Sequence, residues 1–335
     1  MNVAILHNPR PTRDAGADDD AFEEYDGPET LAAMADALAA IGVKARPVPA
    51  DGAFPSALAR GGFDVVFNIA EGVGRRCREA VPAAICEFLG LPYTGSDPLT
   101  LAVTLDKWMA RRVVSPEVTV ASAALVQGPD DEVALAALRY PVIVKPNDEG
   151  SSIGIRTESR CGDAVAAAER CRWLRRRHGC PVLVEAFLPG MEVTAAVRGH
   201  GAAATVMGLM EIAPADGRGE DFIYGLEAKR DFRRQVRYHV PPRLAPSQQE
   251  RIASLALMAY RLLGCRDIAR IDFRLDAAGT PHFLECNPLP GLNPESGDIV
   301  ILARAASADP AAAYRSLVQG ILHDAALRHG LSPPH

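Results

Sequence analysis

Two acids, an amide and an arginine fall together in the stretch 268–291, IARIDFRLDAAGTPHFLECNPLPG. IARIDFRL alternates, so Arg270, Asp272 and Arg274 point one way and Ile271, Phe273 and Leu275 the other. DAAGTP reads as a turn in which Gly279 can take a positive φ. HFLECN then returns, with Glu285 and Asn287 on one face and Leu284 and Cys286 on the opposite one. If residues 276–281 form the loop, Asp272 sits opposite Glu285; a slip in register makes them diagonal neighbours. Two carboxylates that close repel unless a cation lies between them. Such hard oxygen ligands, Asp272, Glu285 and Asn287, suit Mg²⁺, which shares its remaining positions with water and substrate phosphates. An acid pair alone would fit a solvated sheet face. Arg270 beside the acids, and the chain break NPLPG straight after the strand, turn the reading to a metal and phosphate site. Cys286 reads as core, not as a nucleophile.

The elements that must position these groups follow in order. NVAILHN is a buried strand, and residues 9–27 form a long polar loop of the kind that is usually functional or mobile. Pro28 opens a helix with apolar positions Leu31, Met34, Leu38 and Ile41 and a stop at Gly42. KARPVPA and FDVVFNIAEG are strands, AVPAAICEFLG a short helix, and 97–112 a further helix. This β–α–β order predicts a small parallel sheet over roughly the first hundred residues. From Val118 a second unit holds the strand YPVIVKP, the loop NDEGSSIG, a helix over 162–178 and the strand CPVLVEAFL. A Gly/Ser loop after PVIVKP can present N–H groups and hydroxyls to phosphate, with Lys145 as a point charge. A third unit from Glu192 holds strands TAAVRG and TVMGLMEI, the loop ADGRGEDFIYGLEAKRDFRRQ, a helix over 247–263, the hairpin and a closing helix over 311–329.

At 335 residues the chain exceeds a single simple core. The net charge of −6 gives no basic footprint, which excludes nucleic acid and anionic membrane as partners. No secretory signal or membrane span is read, and the seven scattered cysteines lack a Cys-x-x-Cys pair. These features predict reduced thiols and a cytoplasmic protein.

Seven segments in order carry a resemblance: LGLPYTGSD, LDKWMARR, PVIVKPNDEGSSIG, VLVEAFLPGMEVT, EAKRDF, LGCRDIARIDFRL and FLECNPLPGLNPES. Together the chain resembles D-alanine–D-alanine ligases and, more broadly, the ATP-grasp superfamily of carboxylate–amine ligases. The resemblance implies an α/β, three-domain ATP-grasp fold: a substrate domain over 1–105, then subdomains over 106–191 and 192–335 that clamp the nucleotide. It implies ATP and Mg²⁺, with Mn²⁺ as an alternative ion, and small-molecule carboxylate and amine substrates; a homodimer is left open. By the same resemblance Lys107, Lys145 and Lys229 contact phosphates, the backbone of Glu185, Ala186, Phe187 and Leu188 reads adenine, and Glu192 bonds the ribose. Asp272, Glu285 and Asn287 would hold the metal. Arg270 would bear on the acyl phosphate, the Gly291 N–H would complete an oxyanion site, and Ser151 and Ser296 would touch substrates, Ser296 near the acceptor carboxylate.

Three departures from the family lie at the substrate end. The ligases carry a Ser-x-Glu segment in the first loop that binds the donor ammonium. Here Tyr25 falls near that glutamate, with Glu23, Glu24 and Asp26 close by. Arg230 stands where the family has a tyrosine after Glu-Ala-Lys, followed by Arg233, Arg234 and Arg237. Glu71 replaces a histidine, with Arg75, Arg76 and Arg78 nearby. Lost carboxylate and added guanidinium groups would suit an acidic or N-blocked donor; solvated arginines, with Glu23 or Glu24 replacing the glutamate, would leave a D-alanine site. A nucleotide-binding sensor without turnover is the alternative of another class, and retention of Arg270 with all three metal ligands counts against it.

Overall fold

A computed structural model gives the architecture and describes residues 1–9, 20, 25–74, 76–217, 219 and 221–334. The first sheet is parallel, in the order β2-β1-β3, built from β1 (Asn2–His7), β2 (Lys44–Pro49) and β3 (Val65–Asn68). Its connections are α1 (Pro28–Ala39) and α2 (Phe54–Arg60). Val3 to Leu6 are fully buried because helices and neighbouring chain cover both faces of β1, as parallel pairing requires. The long first loop falls mostly outside the described residues, and Glu23 and Glu24 with it.

Helices α3 (Ala80–Phe88), α4 (Pro98–Leu105) and α5 (Lys107–Val114) follow. The sequence predicts one helix over 97–112, and the structure breaks it at Asp106, whose backbone is extended at ψ 96°. The Asp106 carboxylate accepts from the Met109 N–H at 3.0 Å and from the Asn147 side chain at 2.7 Å, so it caps a new helix. The break sets Lys107 on the first turn of α5, and its amine reaches the backbone carbonyl of Glu149.

The second sheet is antiparallel, order β4-β7-β5-β6, from β4 (Ala123–Val126), β5 (Val142–Pro146), β6 (Arg160–Cys161) and β7 (Val182–Ala186), backed by α6 (Ala164–His178). The third, order β10-β9-β8-β11-β12, contains β8 (Glu192–Arg198), β9 (Thr205–Pro214), β10 (Val236–His239), β11 (Ile268–Leu275) and β12 (Pro281–Asn287). Segment 215–235, read above as loop, holds two short helices, α7 (Leu226–Arg230) and α8 (Phe232–Gln235), and leads straight into β10. Helix α9 (Pro246–Leu262) packs Ile252, Ala256 and Tyr260 against Val193, Ile271 and Phe273 of β8 and β11.

Helices α10 (Asp298–Ala305) and α11 (Pro310–Arg328) close the chain. Leu317, Val318 and Ile321 of α11 join Val3 and Ile5 of β1 and Met34 and Leu38 of α1 in one core, so the two ends of the chain hold each other. A buried ion pair adds to that seam. Arg328 donates to Asp267 at 2.7 Å and to the carbonyls of Tyr93 and Gly95.

Candidate active site

The hairpin β11–β12 forms in the register that opposes Asp272 to Glu285 and Arg270 to Asn287. Ile271, Phe273, Leu275 and Cys286 enter the core, which leaves Arg270, Asp272 and Arg274 on the cleft side. One expectation fails. Pairing shifts between Asp272 and Phe273, where Phe273 meets Phe283, so Leu284 is an extra residue in β12. The bulge turns Leu284 into the cleft beside Glu285 instead of away from it.

Charge is dense along this face. The Arg270 guanidinium bonds Asp272 at 2.9 Å and Asp298 at 2.8 Å, and lies 3.6 Å from Glu285. The Lys107 amine lies 3.5 Å from the other Glu285 oxygen, and the Thr194 hydroxyl donates to Asp272 at 2.8 Å. Burial alone would raise Glu285, but Lys107, Lys145, Arg270 and Lys229 hold it down at about 2. Asp272 shifts up, chiefly by burial against the pull of Arg270 and with Glu285 opposed to it. Burial opposes the charge on Arg270, yet its three acids keep the guanidinium protonated above the ordinary range. The oxygens of Asp272 and Glu285 suit a hard cation. The Asn287 side-chain oxygen accepts from the Leu289 N–H at 2.9 Å and keeps a second lone pair.

A cleft opens between the second and third sheets. Ile143, Ile155, Phe187, Ile212, Ile223 and Leu284 give it apolar walls. Lys145 enters from β5 and is held by Glu185 at 2.5 Å; burial alone would lower Lys145, but Glu185 and Glu285 raise it. The N–H groups of Ala186 and Phe187 are already committed to the carbonyls of Ser122 and Pro141. The carbonyl of Leu188 accepts from Arg274 at 2.5 Å, and Arg274 also lies 3.3 Å from Glu192. Burial pushes Glu192 up to about 7 against the pull of Arg274. Lys229, at 5.2 Å over the Tyr224 ring, is lowered by burial and by Arg270.

The Gly/Ser loop after β5 carries Ser151 and Ser152 at φ 45° and 60°, left-handed values that non-glycine residues avoid unless the surroundings fix them. Ser152 donates to the Tyr224 carbonyl at 3.0 Å, which docks segment 221–230 on this loop. Gly225 permits the approach, since a Cβ there would lie 2.8 Å from the Ile155 carbonyl oxygen.

Tyr25, Glu71, Ser151, Arg230, Gly291 and Ser296 line a second cavity of about 290 Å³. A satellite space of about 30 Å³ around Lys107, Glu285 and Asn287 is too small for a substrate. Among the described arginines near these loops, Arg230 lines the large cavity and the others are engaged elsewhere. Arg76 pairs with Asp106 at 3.0 Å, Arg78 with Glu149 at 3.2 Å and Arg233 with Glu295 at 2.6 Å. Arg237 donates to backbone carbonyls, and Arg234 is exposed beside Asp231. Arg75 lies outside the described residues. The cavity also takes in Asp26 and Glu29 next to Tyr25.

Four residues line both spaces: Tyr224, Lys229, Arg270 and Asp298. Sequence reasoning missed Tyr224 and Asp298. Each lies a few residues from a segment singled out above, in FIYG before EAK and in GDIV after NPES, without a spacing signal of its own.

Residues 115–323 match the family model for the D-ala D-ala ligase C-terminus. The D-alanine–D-alanine ligase B of Chromobacterium violaceum is 35% identical over 243 residues, 72% of this chain and 75% of that one. The D-alanine–D-alanine ligase of Nitrosospira multiformis is 34% identical over 271 residues, 80% and 83% of the two chains. In fold, the chain superposes on the Bacillus anthracis D-alanine–D-alanine ligase complexed with ATP at a TM-score of 0.73, 18% identity, and 98% and 99% coverage. The VanG D-Ala:D-Ser ligase of Enterococcus faecalis gives a TM-score of 0.69 at 20% identity, with 96% and 99% coverage.

Proposed function

The chain belongs to the D-alanine–D-alanine ligase family, and from that premise we propose that it joins the carboxylate of one small amino acid to the amine of another at the expense of ATP. The reaction takes two displacements. A donor carboxylate oxygen attacks the γ-phosphorus, forming an acyl phosphate as ADP leaves. The amine nitrogen of the acceptor then attacks the acyl carbon, the C–N bond forms, and the C–O bond to phosphate breaks with release of inorganic phosphate and the amine proton.

The observation that carries this reading is the wall common to both spaces. Phosphoryl transfer needs the γ-phosphate and the donor carboxylate to meet, and Lys229 and Arg270 face both sides of that meeting point. In this reading Arg270 takes the charge that develops on the acyl phosphate, and the Gly291 N–H and Ser151 act from the substrate side. Lys107 and Lys145 exchange their contacts with Glu285 and Glu185 for phosphate oxygens. Glu192 accepts from the ribose hydroxyls, and adenine is read at the Leu188 N–H, since those of Ala186 and Phe187 are committed. Asp272, Glu285 and Asn287 would hold Mg²⁺, which supplies charge neutralisation on the phosphates. Residues 1–105 serve as the substrate domain, and 106–191 and 192–335 as the halves enclosing ATP.

For the donor, Asp26, Glu29 and Glu71 offer carboxylates to an ammonium group, which favours a free amino acid such as D-alanine. Ser296 would bond the acceptor carboxylate. Arg230 in the same cavity is the observation that favours the second reading, an acidic donor. ADP release and product mass over a panel of D- and L-amino acids decide. The reading expects D-alanine among the best donors, while a strong preference for an acidic donor, eroded in Arg230→Tyr, selects the second. No ADP release with any member overturns both.

A further inference from the structure

One carboxylate in the common wall has no role in the reaction as described. Asp298, the first residue of α10, is 9% exposed and faces both the nucleotide cleft and the substrate cavity. Its Oδ2 accepts from Arg270 Nη1 at 2.8 Å and its Oδ1 from the Tyr224 hydroxyl at 3.2 Å. The Tyr224 hydroxyl is itself hydrogen-bonded to that of Tyr238 at 2.9 Å. Partners from β11 and from the segment before α7 fix the carboxylate in place. Each oxygen accepts one hydrogen bond from the described residues, and a carboxylate oxygen can accept two.

The charge balance of this wall changes when substrates arrive. Without them, Asp272, Glu285 and Asp298 surround Arg270. The phosphates and the acyl phosphate bring negative charge to the place where Arg270 and Lys229 are the facing cations, and draw the guanidinium towards themselves. Asp298 then keeps a weaker partner. A buried carboxylate deprived of its cation is strongly unfavourable, so a second cation is favoured there at that stage. The acceptor amine is an ammonium ion in neutral solution, and it comes to the same wall because its nitrogen must approach the acyl carbon.

We propose that Asp298 is the docking group for the acceptor's ammonium, and so a specificity-determining residue for acceptors that bind protonated; the docked ammonium gives up one proton to solvent before the neutral amine attacks the acyl carbon. The assignment rests on the ligase reading above. Asp298 binds and orients the amine, with Tyr224 and Tyr238 holding the carboxylate towards it.

Two reactions that share the acyl phosphate separate this role from simple support of Arg270. One is ligation, with D-alanine or the best pair from the panel. The other is hydroxamate formation from the same donor and hydroxylamine, a nucleophile that is uncharged at neutral pH and needs no ammonium site. In Asp298→Asn the ratio of ligation to hydroxamate formation should fall about tenfold or more, with the KM for the acceptor rising by a similar factor. Asp298→Glu, which keeps the charge, should recover much of the ratio and serves also if the Asn variant misfolds. An unchanged ratio, with both reactions falling together, overturns the assignment and leaves Asp298 as a support for Arg270. Absence of hydroxamate from the wild-type protein with every donor overturns instead the ligase reading on which it rests.

Discussion

Asp272 and Glu285 differ in protonation tendency although they face each other across one pair of strands. Glu285 gathers four cations and is held at about 2, while Asp272 is pushed upward mainly by burial. A divalent ion between them would replace the attraction that Arg270 and Lys107 now supply. Asp272→Asn and Glu285→Gln, both nearly isosteric, should each cut Mg²⁺-dependent turnover about a hundredfold or more, by analogy with the loss of other transition-state charge partners. Circular dichroism should show the fold intact, and wild-type rates in a Mg²⁺ titration of both variants would sink the metal assignment. Glu192 gives a pH prediction. Raised to about 7, it is ionised above that pH and protonated below it. The KM for ATP should therefore rise as pH falls below about 7, and Glu192→Gln should flatten that dependence. The same shift lets the folded protein hold a proton that the unfolded chain releases near the ordinary carboxylate value. Its contribution to stability is present at low pH and lost as pH rises through about 7.

At the scale of elements, the break between α4 and α5 ties local structure to the site. LAVTLDKWMARR carries helical periodicity throughout, so its pattern predicts one helix. The break depends on Asn147, 41 residues away, and on Arg76, neither of which periodicity registers. Asp106→Ala removes the cap and should cost about 0.5–2 kcal/mol in denaturant unfolding. It should also lower kcat, because Lys107 loses its place at the helix start; full activity at reduced stability would show that the break is only structural. The hairpin was legible for the opposite reason. Its alternation has period two, its turn holds one glycine, and both acids sit within 14 residues, so local chemistry determined the register. The bulge at Leu284 was not legible, since HFLECN alternates as well with it as without. Asp298 meets Arg270 across 28 residues and Tyr224 across 74, pairings that only the folded chain reveals. The same holds for Arg76, Arg78 and Arg233: a run of guanidinium groups is visible in sequence, but their partners Asp106, Glu149 and Glu295 are not.

For the whole molecule, the proposed reaction requires the two sides of the cleft and the first sheet to keep their relative positions. Apolar packing of α11 against α1 and the Asp267–Arg328 pair join the ends of the chain close to the start of β11. Asp267 is fully buried, so Arg328→Ala leaves an uncompensated charge and should destabilise by about 3–5 kcal/mol in denaturant unfolding. A loss below about 1 kcal/mol, the range of exposed pairs, would assign the seam to apolar packing alone. Among the described residues, no helix is long and apolar enough to cross a membrane. In the proposed reaction both cavities meet at one wall where a donor carboxylate takes the γ-phosphoryl group. Positional isotope exchange in ATP labelled at the β,γ-bridging oxygen tests this most directly, with Mg²⁺ and a donor amino acid but no other acceptor. Exchange should require the donor and be lost in Arg270→Ala. Exchange that proceeds equally without a donor, or its absence with every donor that supports ADP release, would contradict the proposed transfer.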